Sequence, residues 1–564
     1  MGLFNKFDIA IIILFFLIAL GIWSIPSITT PILFGEGDAY WHYGQSDFIV
    51  ESDYISSRLP YSYISKYFLN NKLIGPLSRE YPPIIHINYA NQILLGRHKF
   101  IPLGIFKAIT SFLGFLGIYF LSRYLFSQTV AIISSFGILF SNRIFSVFLF
   151  GQNPTTIGII FIPLILYMFY RIIIKLKEKE NINTYLAILV LLLCSQFLLH
   201  LQALFISIIL ILVASCFFII KDKNKINIKY YFSKKNLIFL FFLAIFSLIV
   251  IMPFLNIYLG APQEAFGKEE ESKDYTRIFK WGIDPAKVEG AYPENFILFK
   301  SEYNYIFLPF LILGIVFSII KHKKNNYYFM ISLLVGTYIL LHADLWLGLV
   351  PARIARMLIF EPYIFWIFIA IGISFIISLI ISLLKPFLQK NTIYLRYILI
   401  ISVIILIYFV LGSPIKVNAK NAYPEIIRVN SDELMAAEWI KQNLPLNSHI
   451  FVKNDHISWR FYKYRFIRTM AHRPTYQSDN ISKDVLEWNE KYNETNKRYN
   501  TNLPLIYYKY LLIDYSDYVR SADPEYQNLI NQFKQYEKDY FEDKIPIYNN
   551  RDIIIYNITN MEIY

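Results

Sequence analysis

Apolar residues in this chain fall in runs of about 20, separated by short polar breaks, which is the length a helix needs to cross about 30 Å of hydrocarbon. Such runs lie at 9–26, 101–122, 128–149, 154–174, 237–259, 304–321, 327–343, 359–384 and 393–412. The stretch 184–220 fits less easily, since as a single helix it would measure roughly 55 Å, too long for one crossing and a little short for two. Charge decides the matter. Arg171, Lys175, Lys177 and Lys179 flank one end, and Lys221, Lys223, Lys225, Lys229, Lys234 and Lys235 flank the other. Clusters of Lys and Arg mark the cytoplasmic side, so an even number of crossings lies between them. Two helices meeting near His200 and Gln202 satisfy this, and the expected total is about eleven spans.

The same parity puts Arg123, Lys321, Lys323, Lys324, Lys385, Lys390 and Arg396 inside, and leaves loops 27–100 and 260–303 and the tail from 413 outside. All three Asn-x-Ser/Thr sequons, at Asn480, Asn493 and Asn557, fall in that tail. Beyond Gly412 the pattern changes. Ser431, Asp432 and Glu433 form a helix start before Leu434, Ala437 and Ile440, whose spacing makes one apolar face. Strand-like runs follow at 450–452, 505–513 and 553–558, with a polar helical stretch over 524–540. The expected fold class is thus an all-α polytopic membrane domain over 1–412, with a small α/β extracytoplasmic domain over 413–564.

Composition agrees with this reading. Hydrophobic residues make up 55% of the 564 and aromatics 18%, more than a water-soluble surface can hide, so the surplus faces lipid. The net charge of +13 does not point to nucleic acid, because the basic residues sit in short clusters between apolar runs, where topology would place them. The two cysteines, Cys194 and Cys216, lie inside apolar runs, which excludes a disulfide framework and a Cys-ligated metal. The first run lacks a small-x-small exit site and reads as a signal anchor.

The first external loop holds the richest set of reactive groups. In Gly35-Glu36-Gly37-Asp38-Ala39-Tyr40-Trp41-His42-Tyr43 the chain can turn helical from Asp38, and helical spacing stacks Asp38 and His42 on one face. Asp38 there can act as a general base for an acceptor, or can ligate a divalent ion such as Mg or Mn together with His42. The plainer alternative is an interfacial helix with Asp38 as its cap and Tyr40, Trp41 and Tyr43 as anchors. Further along the loop come Arg79-Glu80-Tyr81-Pro82-Pro83, where two prolines stiffen the re-entry. Arg353 and Arg356 flank the run that starts near Leu358. A guanidinium so near hydrocarbon either snorkels to the interface or grips phosphate oxygens in bidentate fashion. By the topology above, Asp38, His42, Glu80, Gln152, His200, Asp344, Arg353 and Arg356 all map to the outer face, where a cleft would bring acid, imidazole and guanidinium together at the lipid boundary. Taken singly, His200, Gln202, His342 and Asp344 also read as solvated turn residues.

With these motifs in hand, the chain resembles the membrane-embedded glycosyltransferases of the GT-C type, the class of oligosaccharyltransferase catalytic subunits and protein mannosyltransferases. The resemblance rests on Gly37-Asp38-Ala39-Tyr40-Trp41-His42, Tyr81-Pro82-Pro83, Gly151-Gln152-Asn153-Pro154, the Arg353–Arg356 segment, and Glu433 to Ile440 opening the tail. It implies a sugar donor on a polyprenyl phosphate or pyrophosphate, an acid in the first external loop that acts on the acceptor or binds metal, and inversion at the anomeric carbon. By position Asp38 takes the acidic role and Arg353 or Arg356 the donor phosphate, with His42, Glu80, Tyr81, Gln152, His200 and Asp344 around the substrate. Two departures stand out: the tail has Asp455-His456-Ile457-Ser458-Trp459 in place of a Trp-Trp-Asp-Tyr-Gly motif, and the first loop has no Asp-x-Asp. The function expected is therefore sugar transfer from a lipid-linked donor to a glycan, lipid or protein at the outer face of the cell membrane. A flippase for lipid-linked sugars is the main alternative, and would show midplane polar groups, broken helices and inverted repeats. A non-catalytic envelope-assembly protein is the third reading.

Overall fold

The computed structural model describes residues 6–29, 37–52, 84–96, 100–149, 152–222, 234–258, 298–349, 351–388, 392–412, 431–453, 466–467, 470–477, 481–499, 505–515, 524–550 and 552–561. Glu80, Tyr81, Gly151 and the Asp455–Trp459 segment lie outside the described residues. The chain divides into two compact units, one of Met1–Ile25, Ile105–Phe148 and Asn153–Lys420, the other of Pro26–Gly104, Leu149–Gln152 and Asn421–Tyr564. Pro26–Gly104 thus group with the C-terminal residues.

The first unit is helical. α1 (Lys6–Thr29) is followed, after the loop helices α2 (Gly37–Ser52) and α3 (Ile84–Leu95) of the second unit, by α4 (Ile101–Leu125), α5 (Gln128–Leu139), α6 (Asn142–Leu149) and α7 (Asn153–Glu178). Next come α8 (Asn183–Leu199), α9 (Leu201–Asp222), α10 (Lys234–Tyr258), the short α11 (Phe299–Tyr303), α12 (Leu308–Ile320) and α13 (Asn325–Leu341). Two short helices, α14 (Ala343–Leu347) and α15 (Pro351–Met357), precede the long α16 (Glu361–Leu388) and α17 (Thr392–Ile407). The apolar runs are largely helical. Among the described residues, seven helical stretches are long and apolar enough to cross a membrane, and three shorter apolar helices lie at Asn183–Leu199, Asn236–Met252 and Tyr305–Ile320. The ambiguous stretch divides at His200, whose extended backbone (φ −161°) ends α8 one residue before α9 begins. Ile13, Leu17, Phe241, Phe242, Ile249 and Ile398 are all more than half exposed, an apolar surface suited to lipid chains.

One run departs from the expected pattern. The sequence reads 128–149 as one continuous helix, but it is broken between Leu139 and Asn142. The freed backbone groups are satisfied locally and from afar: Ser141 Oγ accepts from the Ile144 amide at 3.3 Å, and the Glu302 carboxylate accepts from the Arg143 amide at 2.8 Å. This is helix capping with an anion, partly supplied from a distant segment. A broken helix within an apolar run, which the sequence does not announce by Pro or a Gly pair, is thus present and held by Glu302. Elsewhere α12 and α16 cross backbone to backbone, because a Cβ at Gly314 would strike the Phe368 carbonyl and one at Gly372 the Phe310 carbonyl.

In the second unit α2 packs on α3, and the C-terminal residues form a five-stranded sheet. Its strands are β1 (Ser448–Lys453), β2 (Thr475–Gln477), β3 (Tyr508–Asp514), β4 (Tyr548–Asn549) and β5 (Ile553–Asn557), in the order β2-β1-β3-β5-β4. β1 runs parallel to both β2 and β3, while β3 and β5 are antiparallel. The α18 helix (Ser431–Asn443), α19 (Ile481–Tyr499) and α20 (Pro524–Phe541) accompany the sheet. Phe451, Leu511, Ile513, Phe533, Phe541 and Tyr556 share one core there. α19 was not singled out from the sequence, although Ile481, Val485 and Trp488 recur at helical spacing and pack on this core.

Candidate functional site

α2 begins at Gly37, so Asp38 and His42 are one helical turn apart, as their spacing requires. The middle of this helix is buried, with Ala39, His42, Tyr43, Gln45, Ser46 and Asp47 all enclosed. Tyr43 is fully enclosed, packs against Phe100 with ring centres 5.0 Å apart, and has its phenol pushed up by burial and by the Asp47 charge. A helix merely lying on a membrane surface would leave its polar face wet. Here the polar residues point inward.

His42 meets His86 of α3. Its Nδ1 lies 2.9 Å from His86 Nε2, the rings are stacked with centres 5.2 Å apart, and both residues are 1% exposed. Burial pushes the His86 imidazole down to about 3, so the pair is kept short of double protonation. Nothing in the sequence separation of His42 and His86 announces this contact.

A second cluster follows on the same helix. Asp47 and Glu51, one turn apart, face Lys441 from α18 and His472 from the turn before β2. Lys441 Nζ lies 3.3 Å from Asp47 Oδ2 and also contacts Glu51 Oε1. His472 Nδ1 is 3.0 Å from Glu51 Oε2, and its Nε2 is 3.3 Å from Asp47 Oδ2. The hydrogen bond from His472 holds the Glu51 carboxyl below the usual range. Arg473 fixes the backbone of this corner, donating to the carbonyls of Lys441 at 3.1 Å, Leu444 at 2.6 Å and Pro445 at 2.9 Å. A guanidinium with its fan of donors is well suited to collecting the orphan carbonyls at a helix end. Asp47, Glu51 and His472 together could hold a metal ion, a set that the sequence reading did not single out.

The remaining predicted residues are placed as follows. Gln152 belongs to the second unit and is half-buried. In the first unit His200 is buried at the end of α8, with Nε2 3.2 Å from Thr155 Oγ1. Asp344 lies in the first turn of α14, half-buried, before the left-handed Gly348 (φ 68°). Arg353 and Arg356 both fall on α15, three residues apart, with Arg356 half-buried. His200 is therefore a packed turn residue with a partner, not a solvated one. The sequence reading also overlooked Arg143, Glu302 and Glu361, three buried charges in the first unit. An arginine in the middle of the 128–149 run was the available signal.

No family model matches the chain, and no curated protein matches it. Solved structures do. An archaeal oligosaccharyltransferase, AglB from Archaeoglobus fulgidus in complex with an inhibitory peptide and a dolichol-phosphate, is 14% identical, with a TM-score of 0.55 over 90% of this chain and 69% of that one. The same oligosaccharyltransferase in complex with Zn and sulfate gives a TM-score of 0.53 at 13% identity, over 89% and 68% of the two chains. ArnT from Cupriavidus metallidurans in the apo state gives 0.52 at 10% identity, over 96% of this chain and 97% of that one. The fold is accordingly that of the GT-C membrane glycosyltransferases. Likeness at this level of identity establishes the fold.

Proposed function

We propose that this protein is an inverting membrane glycosyltransferase that moves a sugar from a polyprenyl-phosphate-linked donor to a glycan, lipid or protein acceptor at the outer face of the membrane. One observation carries the reading most: nine-tenths of the chain takes a fold shared with an oligosaccharyltransferase solved in complex with a dolichol-phosphate. On this reading the C-terminal α/β module lies on the same, extracytoplasmic side, with the membrane domain ending and the soluble domain beginning at about residue 413.

In the proposed reaction Asp38 takes the proton of the acceptor nucleophile as that atom attacks the anomeric carbon. The bond from this carbon to the carrier phosphate breaks on the opposite face, and the phosphate leaves with the electron pair. Arg353 and Arg356 receive its growing negative charge through paired N–H donors. Glu80, Tyr81, Gln152, His200 and Asp344 are assigned to the surroundings of donor and acceptor. In the alternative role Asp38 would instead ligate a divalent ion together with His42, and the ion would add charge stabilisation at the phosphate.

The test uses membranes containing the full chain, labelled polyprenyl-phosphate sugars, and chelator or added Mg or Mn. Wild type should give labelled product, and Asp38→Asn should lose activity by about 10²–10⁴-fold. Arg353→Gln and Arg356→Gln should lower kcat/KM for the donor, with kcat falling as the leaving phosphate loses its stabilisation. Full activity of Asp38→Asn would refute the assignment, since transport or scaffolding tolerates that isosteric change.

A further inference from the structure

Asp47 and Glu51 stand four residues apart on α2, a spacing at which two carboxylates repel unless a cation lies between them. In this protein the cationic Lys441 does so, reaching both carboxylates from the last turn of α18. The His472 imidazole is wedged against the same pair, one ring nitrogen to each acid. All of these residues belong to one compact unit. The side chains of Asp47 and His472 are each 10% exposed, whereas Glu51 is 43% exposed, so the cluster has one open edge.

The arrangement has the chemistry of a zinc-type ligand set. The 3.3 Å between His472 Nε2 and Asp47 Oδ2 is the edge expected of a tetrahedron whose metal–ligand bonds are about 2.0–2.1 Å. Ligand atoms from all three residues lie within 4.8 Å of one another. One imidazole and two carboxylates suit zinc or cobalt better than calcium, which requires six to eight oxygens.

We propose that Asp47, Glu51 and His472 form an exchangeable site for a zinc-class divalent cation, with the Lys441 ammonium as its built-in competitor. A bound ion would clamp α2 to the C-terminal module through His472. The site is separate from the assignment of Asp38, which lies nine residues earlier on α2 and so about 13 Å away along the helix.

The test is binding of Co²⁺ to the purified full chain in detergent after chelator treatment, followed by visible absorption, with Zn²⁺ as competitor. Wild type should bind Co²⁺ that Zn²⁺ displaces, beyond whatever Co²⁺ the His472→Asn variant retains. Lys441→Met, which removes the competing ammonium and leaves the three ligands, should bind at least tenfold more tightly. His472→Asn should bind at least tenfold more weakly; asparagine suits the left-handed backbone at this position (φ 51°), which limits the risk of misfolding. Absence of a cobalt spectrum in both wild type and Lys441→Met would overturn the proposal, as would unchanged affinity in either variant. Because the readout is metal binding and not sugar transfer, its failure leaves the catalytic reading untouched.

Discussion

Arg143 and Glu361, 218 residues apart, form an ion pair whose side chains are only 3% and 2% exposed. The pair joins the start of α6 to the start of α16, just where the run 128–149 is broken. Glu302 caps the same break through the Arg143 amide, and the Arg143 guanidinium lies 5.9 Å from the centre of the Tyr303 ring. Three buried charges and an aromatic ring thus hold the break open.

Removing one member of such a pair strands the other charge. Arg143→Met should cost about 3–5 kcal/mol, read as a lower unfolding midpoint of the full chain in detergent, whereas Arg143→Met with Glu361→Leu should recover much of that loss. A single variant as stable as wild type would contradict the structural role assigned to the pair.

The crossing of α12 and α16 is set by two glycines. Gly314→Val puts carbon where the Phe368 carbonyl stands, and backbone cannot yield as a flexible side chain would. The expected cost is about 1–3 kcal/mol, seen as reduced thermal stability or poor yield of monodisperse protein. Gly21→Ala is the control, since a Cβ there meets nothing within 4 Å, and it should leave stability unchanged or slightly raised.

His449 of β1 is 1% exposed, and burial pushes its imidazole down to about 3 from 6.5. The folded value lies below the unfolded one, so the unfolded chain gains a proton that the folded strand refuses. Stability is therefore complete above pH 6.5 and falls as pH drops toward 3, by roughly 2 kcal/mol at pH 5 from about 1.4 kcal/mol per unit. Hydrogen exchange of the β1 and β3 amides in the full chain, corrected for intrinsic rate, should show this slope, and His449→Gln should flatten it. An unaltered slope in that variant would assign the pH dependence elsewhere.

Most of the architecture was legible in the chain. The apolar runs became helices because a segment of about 20 apolar residues has no better way to satisfy its backbone in lipid. The division at His200 followed from charge parity on either side of 184–220. In the tail, the helix at Ser431 and three strands were found from capping residues and apolar spacing; the short strands β2 and β4 leave no periodic signal, whereas α19 was passed over although Ile481, Val485 and Trp488 stand at helical spacing.

Site chemistry was only half legible. Gly37, Asp38 and His42 marked the loop helix, because local spacing is written in the sequence. That His42 faces His86, that Asp47 and Glu51 meet Lys441 and His472, and that Arg143 pairs with Glu361 depend on contacts between residues 44 to 425 positions apart. The sequence alone determined where the long apolar helices, the acid-bearing helix α2 and much of the C-terminal α/β module lie, because hydrophobicity and helical period act locally. Tertiary structure decided which buried charges and imidazoles face one another, because a charged group can be buried only where packing brings it a partner, and packing is not encoded at any fixed spacing.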